Sequence, residues 1–234
     1  MTITDQAPPM QAVPRMLWLD LTRRCQLACS HCYNSSSPAG DHGTMTVSDW
    51  IRVLNEAADC GVERIQLIGG EPTLHPHALQ ITDRALTLGL QVEIYTNLVA
   101  VSPAWWRTFQ QPGVSLATSY YSDHAEQHNA ITGRPTHART RANIQRAVQA
   151  GVPIRVGIVD TGDGQRVDAA RRDLHAFGVE SIRVYRVRPF GRASGGQAPD
   201  TGGLCGRCGT GKAAVGPDGD AVHHAPVDAR GKRP

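Results

Sequence analysis

No apolar run in this chain of 234 residues approaches the ~20 needed to cross a membrane as a helix. The first fourteen residues carry Asp5 and several prolines, and lack the charged-then-apolar order of a secretory signal. They read as a disordered leader, and the missing signal favours the cytoplasm. Charge of one sign is also lacking. A formal net charge of +3 is too small to argue for nucleic acid or an anionic membrane as partner. A disulfide framework is missing as well: the six cysteines fall into a triplet, a pair (Cys205, Cys208) and the isolate Cys60. In a reducing compartment such thiols stay free to bind metal.

What is present is a composition able to build a core, with 40% hydrophobic and 19% charged residues. The chain alternates β and α patterns. Strands are expected at about Met16–Leu21, Arg64–Ile68, Gln91–Thr96, Val114–Thr118, Pro153–Val159 and Ser181–Val187. Helices are expected near Val47–Ala58, Pro76–Leu88, Pro103–Gln110, His137–Ala150 and Gln165–Phe177, most of them stopped by a glycine. Thr46 and Asp49 form a capping box at the first helix. Asn34–Gly43 reads as a flexible loop, the stretch before Pro135 as polar coil, and Cys60 as a buried bystander. Trp105, Trp106 and Phe109 read as packing. Six such units in series predict a parallel sheet. From Arg188 the composition turns to glycine and proline, which places a boundary near residue 195.

One stretch stands out: Cys25-Gln26-Leu27-Ala28-Cys29-Ser30-His31-Cys32-Tyr33, on the loop leaving the first strand. Three soft ligands on one loop can converge on a metal centre. Zinc would normally be given a fourth Cys or His ligand nearby. Three thiolates on a cubane iron–sulfur cluster leave one iron open to a small molecule. The alternative is a zinc loop or buried thiols.

The Cys-x3-Cys-x2-Cys triplet after one strand, with Gly69-Gly70-Glu71-Pro72 after the next, resembles the radical S-adenosylmethionine (SAM) superfamily. The resemblance implies an α/β fold: an open six-unit (β/α) partial TIM barrel over 15–194, with a short, mostly irregular C-terminal extension over 195–234. It implies a [4Fe-4S] cluster on Cys25, Cys29 and Cys32, with SAM chelated at the open iron. One electron from the cluster cleaves the sulfonium, and the resulting 5′-deoxyadenosyl radical abstracts a substrate hydrogen. A flavodoxin- or ferredoxin-type protein would supply the electron.

The same resemblance suggests SAM contacts. His31 lies where relatives touch the adenine, with Tyr33 beside it, although a surface imidazole is the other reading of His31. Backbone carbonyls of Gly69 and Gly70 would take the methionyl amino group, with Glu71 and Pro72 shaping and bracing that loop. Asn97 and Ser119 end strands three and four at the same mouth, and Tyr120 or Tyr121 could face substrate. Val156, Ile158 and Val159 are core or an adenine-facing surface, and Arg192 is a candidate partner for a carboxylate. His75 has no assigned role.

The tail, Cys205-Gly206-Arg207-Cys208 followed by a Pro217-Asp218-Gly219 hairpin turn, is similar to the opening of a SPASM or twitch extension. Relatives there bind auxiliary clusters. Here Cys205, Cys208 and His224 could hold one iron–sulfur cluster or a zinc ion, or the segment could be a metal-free remnant. Three functions follow: maturation of a ribosomally made precursor peptide, radical modification of a small metabolite such as a sugar or amino acid, or a non-catalytic truncated homologue.

Overall fold

A computed structural model of the chain describes residues 14–162, 164–197 and 211–222. The leader expected over 1–14 lies outside them except for Pro14, as do Cys205, Cys208 and His224.

Short apolar runs become six parallel strands: β1 (Met16–Asp20), β2 (Arg64–Ile68), β3 (Gln91–Tyr95), β4 (Val114–Ser119), β5 (Ile154–Asp160) and β6 (Ser181–Arg186). Between them run α1 (Val47–Asp59), α2 (Ala78–Thr87), α3 (Pro103–Phe109), α4 (Ala125–Thr132), α5 (His137–Gln149) and α6 (Val167–Ala176). β7 (Lys212–Val215) and β8 (Ala221–Val222) follow. One sheet results, ordered β6-β5-β4-β3-β2-β1-β7-β8, with only the β7–β8 pair antiparallel. This is the expected α/β partial barrel, open between its edges.

Strand alternation decides which side chains meet the helices. Leu17, Leu19, Ile65, Leu67, Val92, Ile94, Val156 and Ile158 are buried in one core with Trp50, Leu54, Ile81, Ile144 and Leu174 of the helices. Trp105, Trp106 and Phe109 are buried there too, as their packing role requires. The inner face is polar by contrast. Glu93 takes two hydrogen bonds from Arg155, at 2.7 and 2.8 Å, and a further one from Gln66. That satisfies a carboxylate which burial alone would make costly.

Helix ends follow the sequence closely. Thr46 Oγ1 accepts from Asp49 N at 3.2 Å and Asp49 Oδ2 accepts from Thr46 N at 2.9 Å, closing the capping box of α1. Thr46→Ala should therefore cost about 1 kcal/mol, seen as a lowered urea midpoint with an unchanged slope. An unaltered midpoint would show the cap to be without effect.

Three expectations are corrected. The segment before Pro135 is not all coil, because α4 occupies Ala125–Thr132 and ends at Gly133 in a left-handed conformation (φ 69°). Its buried residues are His128, Ile131 and Thr132, so hydrophobic periodicity does not reveal it. The loop after the cysteines is pinned rather than free. Ser37 O accepts from Cys25 N at 3.0 Å, Asp41 O from Arg23 N at 2.9 Å, and Pro217 O from Thr44 N and Met45 N at 3.0 Å. Cys60 is exposed at the end of α1 rather than buried. The Pro217-Asp218-Gly219 turn does join two strands. β7 also extends the sheet, pairing in parallel with β1 from Met16↔Lys212 to Leu19↔Val215.

Among the described residues, no helix is long and apolar enough to cross a membrane.

Candidate active site

The carboxyl end of the sheet carries the cysteine loop, held from three sides. The first support is the segment after β2. Gly70 N donates to Thr22 O at 2.6 Å and Glu71 N to Arg24 O at 2.8 Å. Gly69 has φ +141°, and a Cβ there would lie 2.6 Å from Thr22 O; one at Gly70 would lie 2.3 Å from Arg24 O. Both glycines line the cavity, yet the close approach that demands them is to the chain's own backbone.

The second support is α4. Its final carbonyls accept from the loop: Ala28 N donates to Thr132 O at 3.1 Å and Ser30 N to Ile131 O at 2.9 Å. The third lies after β6, where Arg192 N donates to Cys32 O at 2.9 Å and Arg192 Nε to Cys29 O at 2.7 Å. Gly191 before it has φ +58°, and a Cβ there would sit 2.4 Å from Cys32 O and Tyr33 O.

Behind the loop, Glu71 is buried and acts as a brace. Its Oε1 accepts from Thr73 N at 3.1 Å and Thr73 Oγ1 at 2.6 Å, while Oε2 accepts from Asn97 N at 2.7 Å. Its pKa is raised, because burial outweighs the lowering by those hydrogen bonds. Pro72 starts the short 3-10 turn that follows and is buried, away from the cavity. Asn97 Oδ1 accepts from Gln26 Nε2 at 3.0 Å, and its Nδ2 lies 3.7 Å from Cys25 Sγ.

These supports enclose a cavity of about 310 Å3, within the range of small-molecule sites. Cys25, Cys29 and Cys32 line it, with His31, Tyr33 and Arg192 beside them. Gly69, Gly70, Asn97 and Ser119 complete the expected set. Tyr121 faces the cavity, edge-on to His31 at 5.1 Å between ring centres. Tyr120 does not, because its hydroxyl bonds Asp173 Oδ2 at 2.7 Å and His137 Nε2 at 2.8 Å on the helix side. Val159 lines the cavity, whereas Val156 and Ile158 are core. His75 stands apart, edge-on to His42 and His77. His128, Thr132 and Thr140 also line the cavity; the first two were missed with α4, and Thr140 lies on the expected α5 with nothing in its residue type to single it out.

The donor set fits an iron–sulfur cluster. Burial pushes the Cys25 thiol up to about 12 and, with Cys32 nearby, Cys29 up to about 11, against a counter-pull from Arg192 on Cys29. Such thiols become thiolates only with a cation to share the charge. Among the described residues no three His, Cys, Asp or Glu side chains approach closely enough to hold a single metal ion. Thiols that bind separate irons of one cluster need no such convergence. Buried polar atoms also lack partners: His31 Nδ1, the Tyr33 hydroxyl and one terminal nitrogen of Arg192 make no hydrogen bond among the described residues. Burial, then Arg192, lowers the His31 pKa and so favours its uncharged ring.

Comparison with known proteins gives a consistent result. The sequence signature of the radical SAM superfamily matches residues 19–174. An AdoMet-dependent heme synthase from Methanosarcina barkeri is 30% identical over 186 residues, which is 78% of this chain and 53% of that protein. A PqqA peptide cyclase from Methylobacterium nodulans is 31% identical over 188 residues, covering 79% of this chain and 50% of that one. The chain thus spans about half the length of these curated relatives. Among solved structures, SuiB of Streptococcus suis bound to precursor peptide SuiA superposes with a TM-score of 0.76. It has 14% identity and covers 91% of this chain and 60% of that one, a likeness of fold.

Proposed function

The chain belongs to the radical SAM superfamily, and from that premise we propose that it reductively cleaves SAM to modify a ribosomally made peptide. The observation that carries this is the cavity, lined by Cys25, Cys29 and Cys32 and by His31, Tyr33 and Arg192, each of these last three with a buried polar atom unpaired among the described residues.

Cys25, Cys29 and Cys32 would hold a [4Fe-4S] cluster, which when bound supplies the electron that breaks the sulfonium bond of SAM. The chain's own residues bind and orient. The unpaired nitrogen of Arg192 suits the SAM carboxylate as a charge-assisted partner. The backbone of Gly69 and Gly70 suits its amino group, while Glu71 and Pro72 keep that backbone in place. Ser119, bonded to the Tyr95 hydroxyl at 3.1 Å, and Asn97 suit the ribose or the carboxylate. His31 and Tyr33 suit the adenine. A flavodoxin- or ferredoxin-type donor would deliver the electron.

The peptide reading draws support from the likeness to a PqqA peptide cyclase and to SuiB. The second reading, a small metabolite, draws support from the heme synthase relative. We read residues 195–234 as a shortened SPASM- or twitch-like extension, with Cys205, Cys208 and His224 as a candidate auxiliary cluster or zinc site.

Anaerobic reconstitution with iron and sulfide, followed by dithionite and SAM, should yield 5′-deoxyadenosine. Cluster-loaded protein that forms none would overturn the radical reading and leave the non-catalytic one. Incubation with candidate precursor peptides and with small metabolites, read by mass spectrometry, separates the two substrate classes.

A further inference from the structure

The sheet has two edges. One ends in the two-residue β8, while the other is β6, six residues long, paired only with β5 among the described residues. We propose that the free edge of β6 takes an extended, acidic stretch of the peptide substrate as an added strand. This rests on the peptide reading above and goes beyond it by naming the docking element and the charge it selects.

Proteins normally shield such an edge with proline, a bulge, very short length or charged side chains. β6 has only the last, Arg183 and Arg186, which would repel a basic strand and admit an acidic one, and five of its six residues are exposed. Val184 and Tyr185, at 46% and 37% exposure, are two of the three large hydrophobic side chains exposed among the described residues. Val187 N donates to Asp160 O, so odd-numbered residues serve the ladder to β5. The backbone groups of Val184 and Arg186 therefore point to the open side, where an added strand would find them.

Charge favours an acidic partner. Between 180 and 188 the sequence carries three arginines and one glutamate. Among the described residues neither Arg183 nor Arg186 takes part in an ion pair. Asp160, opposite Arg186 in the register, has its Oδ1 on Gly162 N at 2.9 Å instead.

Position links the edge to the cavity. Tyr185 lies in register with Val159, which lines the cavity. Its ring covers Gly157, where a Cβ would come within 3.1 Å of Tyr185 and 3.5 Å of the Tyr95 hydroxyl, and Tyr95 also lines the cavity. A strand laid along β6 would turn alternate side chains to this same inner face.

The test uses the cluster-loaded protein and a short labelled peptide of alternating valine and glutamate, with a valine–lysine peptide as its counterpart. Hydrogen exchange should slow at the Val184 and Arg186 amides with the acidic peptide only, and binding should weaken as salt rises. R183E/R186E should lower affinity about tenfold or more. Val184→Pro should do the same, because it removes an open-side donor while sparing the ladder to β5. If the charge-reversed protein fails to fold, R183Q/R186Q reports the same loss.

Unchanged exchange at both amides, or equal binding of the two peptides, would overturn the proposal. So would protection that appears without peptide as protein concentration rises, since a second copy would then own the edge. Formation of 5′-deoxyadenosine by wild-type protein without peptide is scored separately. If it occurs and docking does not, this inference falls alone; if docking occurs and it does not, the radical reading falls alone.

Discussion

Protein carrying Cys25→Ala, Cys29→Ala and Cys32→Ala together should fold and form no 5′-deoxyadenosine from SAM and dithionite. The backbone contacts that hold the loop come from Thr22, Arg24, Thr132 and Arg192 and do not use the thiols. Removing the sulfurs from a buried wall leaves small voids, at about 1 kcal/mol each. The effect on chemistry is total by comparison, because no other described cysteine faces the cavity. The iron that survives in this variant reports on the C-terminal pair. Residual iron–sulfur absorbance would assign a cluster to Cys205 and Cys208, and full SAM cleavage would remove the triplet from the mechanism altogether.

The second large effect should come from a methyl group. Gly70→Ala would place a Cβ 2.3 Å from the carbonyl of Arg24, inside any tolerable contact. Backbone faces backbone there, so no side chain can rotate aside. The segment after β2 and the cysteine loop must separate, at a cost of about 3 kcal/mol. Gly61→Ala is the control. That glycine has φ +81° and open space around it, so the substitution carries only the conformational cost of about 1 kcal/mol. Urea titration of both variants should separate them, and iron per chain after reconstitution should fall in Gly70→Ala alone. If Gly70→Ala matched Gly61→Ala in stability and iron content, the close approach would not be what positions the thiols.

Much of this was legible in the chain. Strand and helix positions follow apolar periodicity, and the caps follow Thr46, Asp49 and Gly61. The triplet and the Gly-Gly-Glu-Pro run are local, so their meeting at one sheet end follows from parallel strands. The bracing role of Glu71 was also expected.

The missing part has a physical cause in each case. α4 turns His128 and Thr132 inward, polar groups that no hydrophobic pattern flags. Gly133, whose Cβ would meet Ala28 O at 2.9 Å, was the available signal. The loop after the cysteines is polar because hydrogen bonds, from its backbone and from side chains such as His42, rather than apolar packing, hold it. Cys60 sits where a helix ends in solvent, a matter of tertiary position rather than residue type. β7 is four residues long and gains its partner across nearly the whole chain.

That last pairing bears on how the protein is made. β1 leaves the ribosome ahead of β2 to β8, and its outer hydrogen bonds stay unanswered until Lys212–Val215 has emerged. Pro217, which fastens Thr44 and Met45, appears later still. A nascent chain therefore reaches a finished thiol loop only after Pro217 has emerged. Iron–sulfur loading should accordingly wait for Lys212–Pro217, and a ribosome stalled before Lys212 would present an unguarded strand to any neighbour able to pair with it.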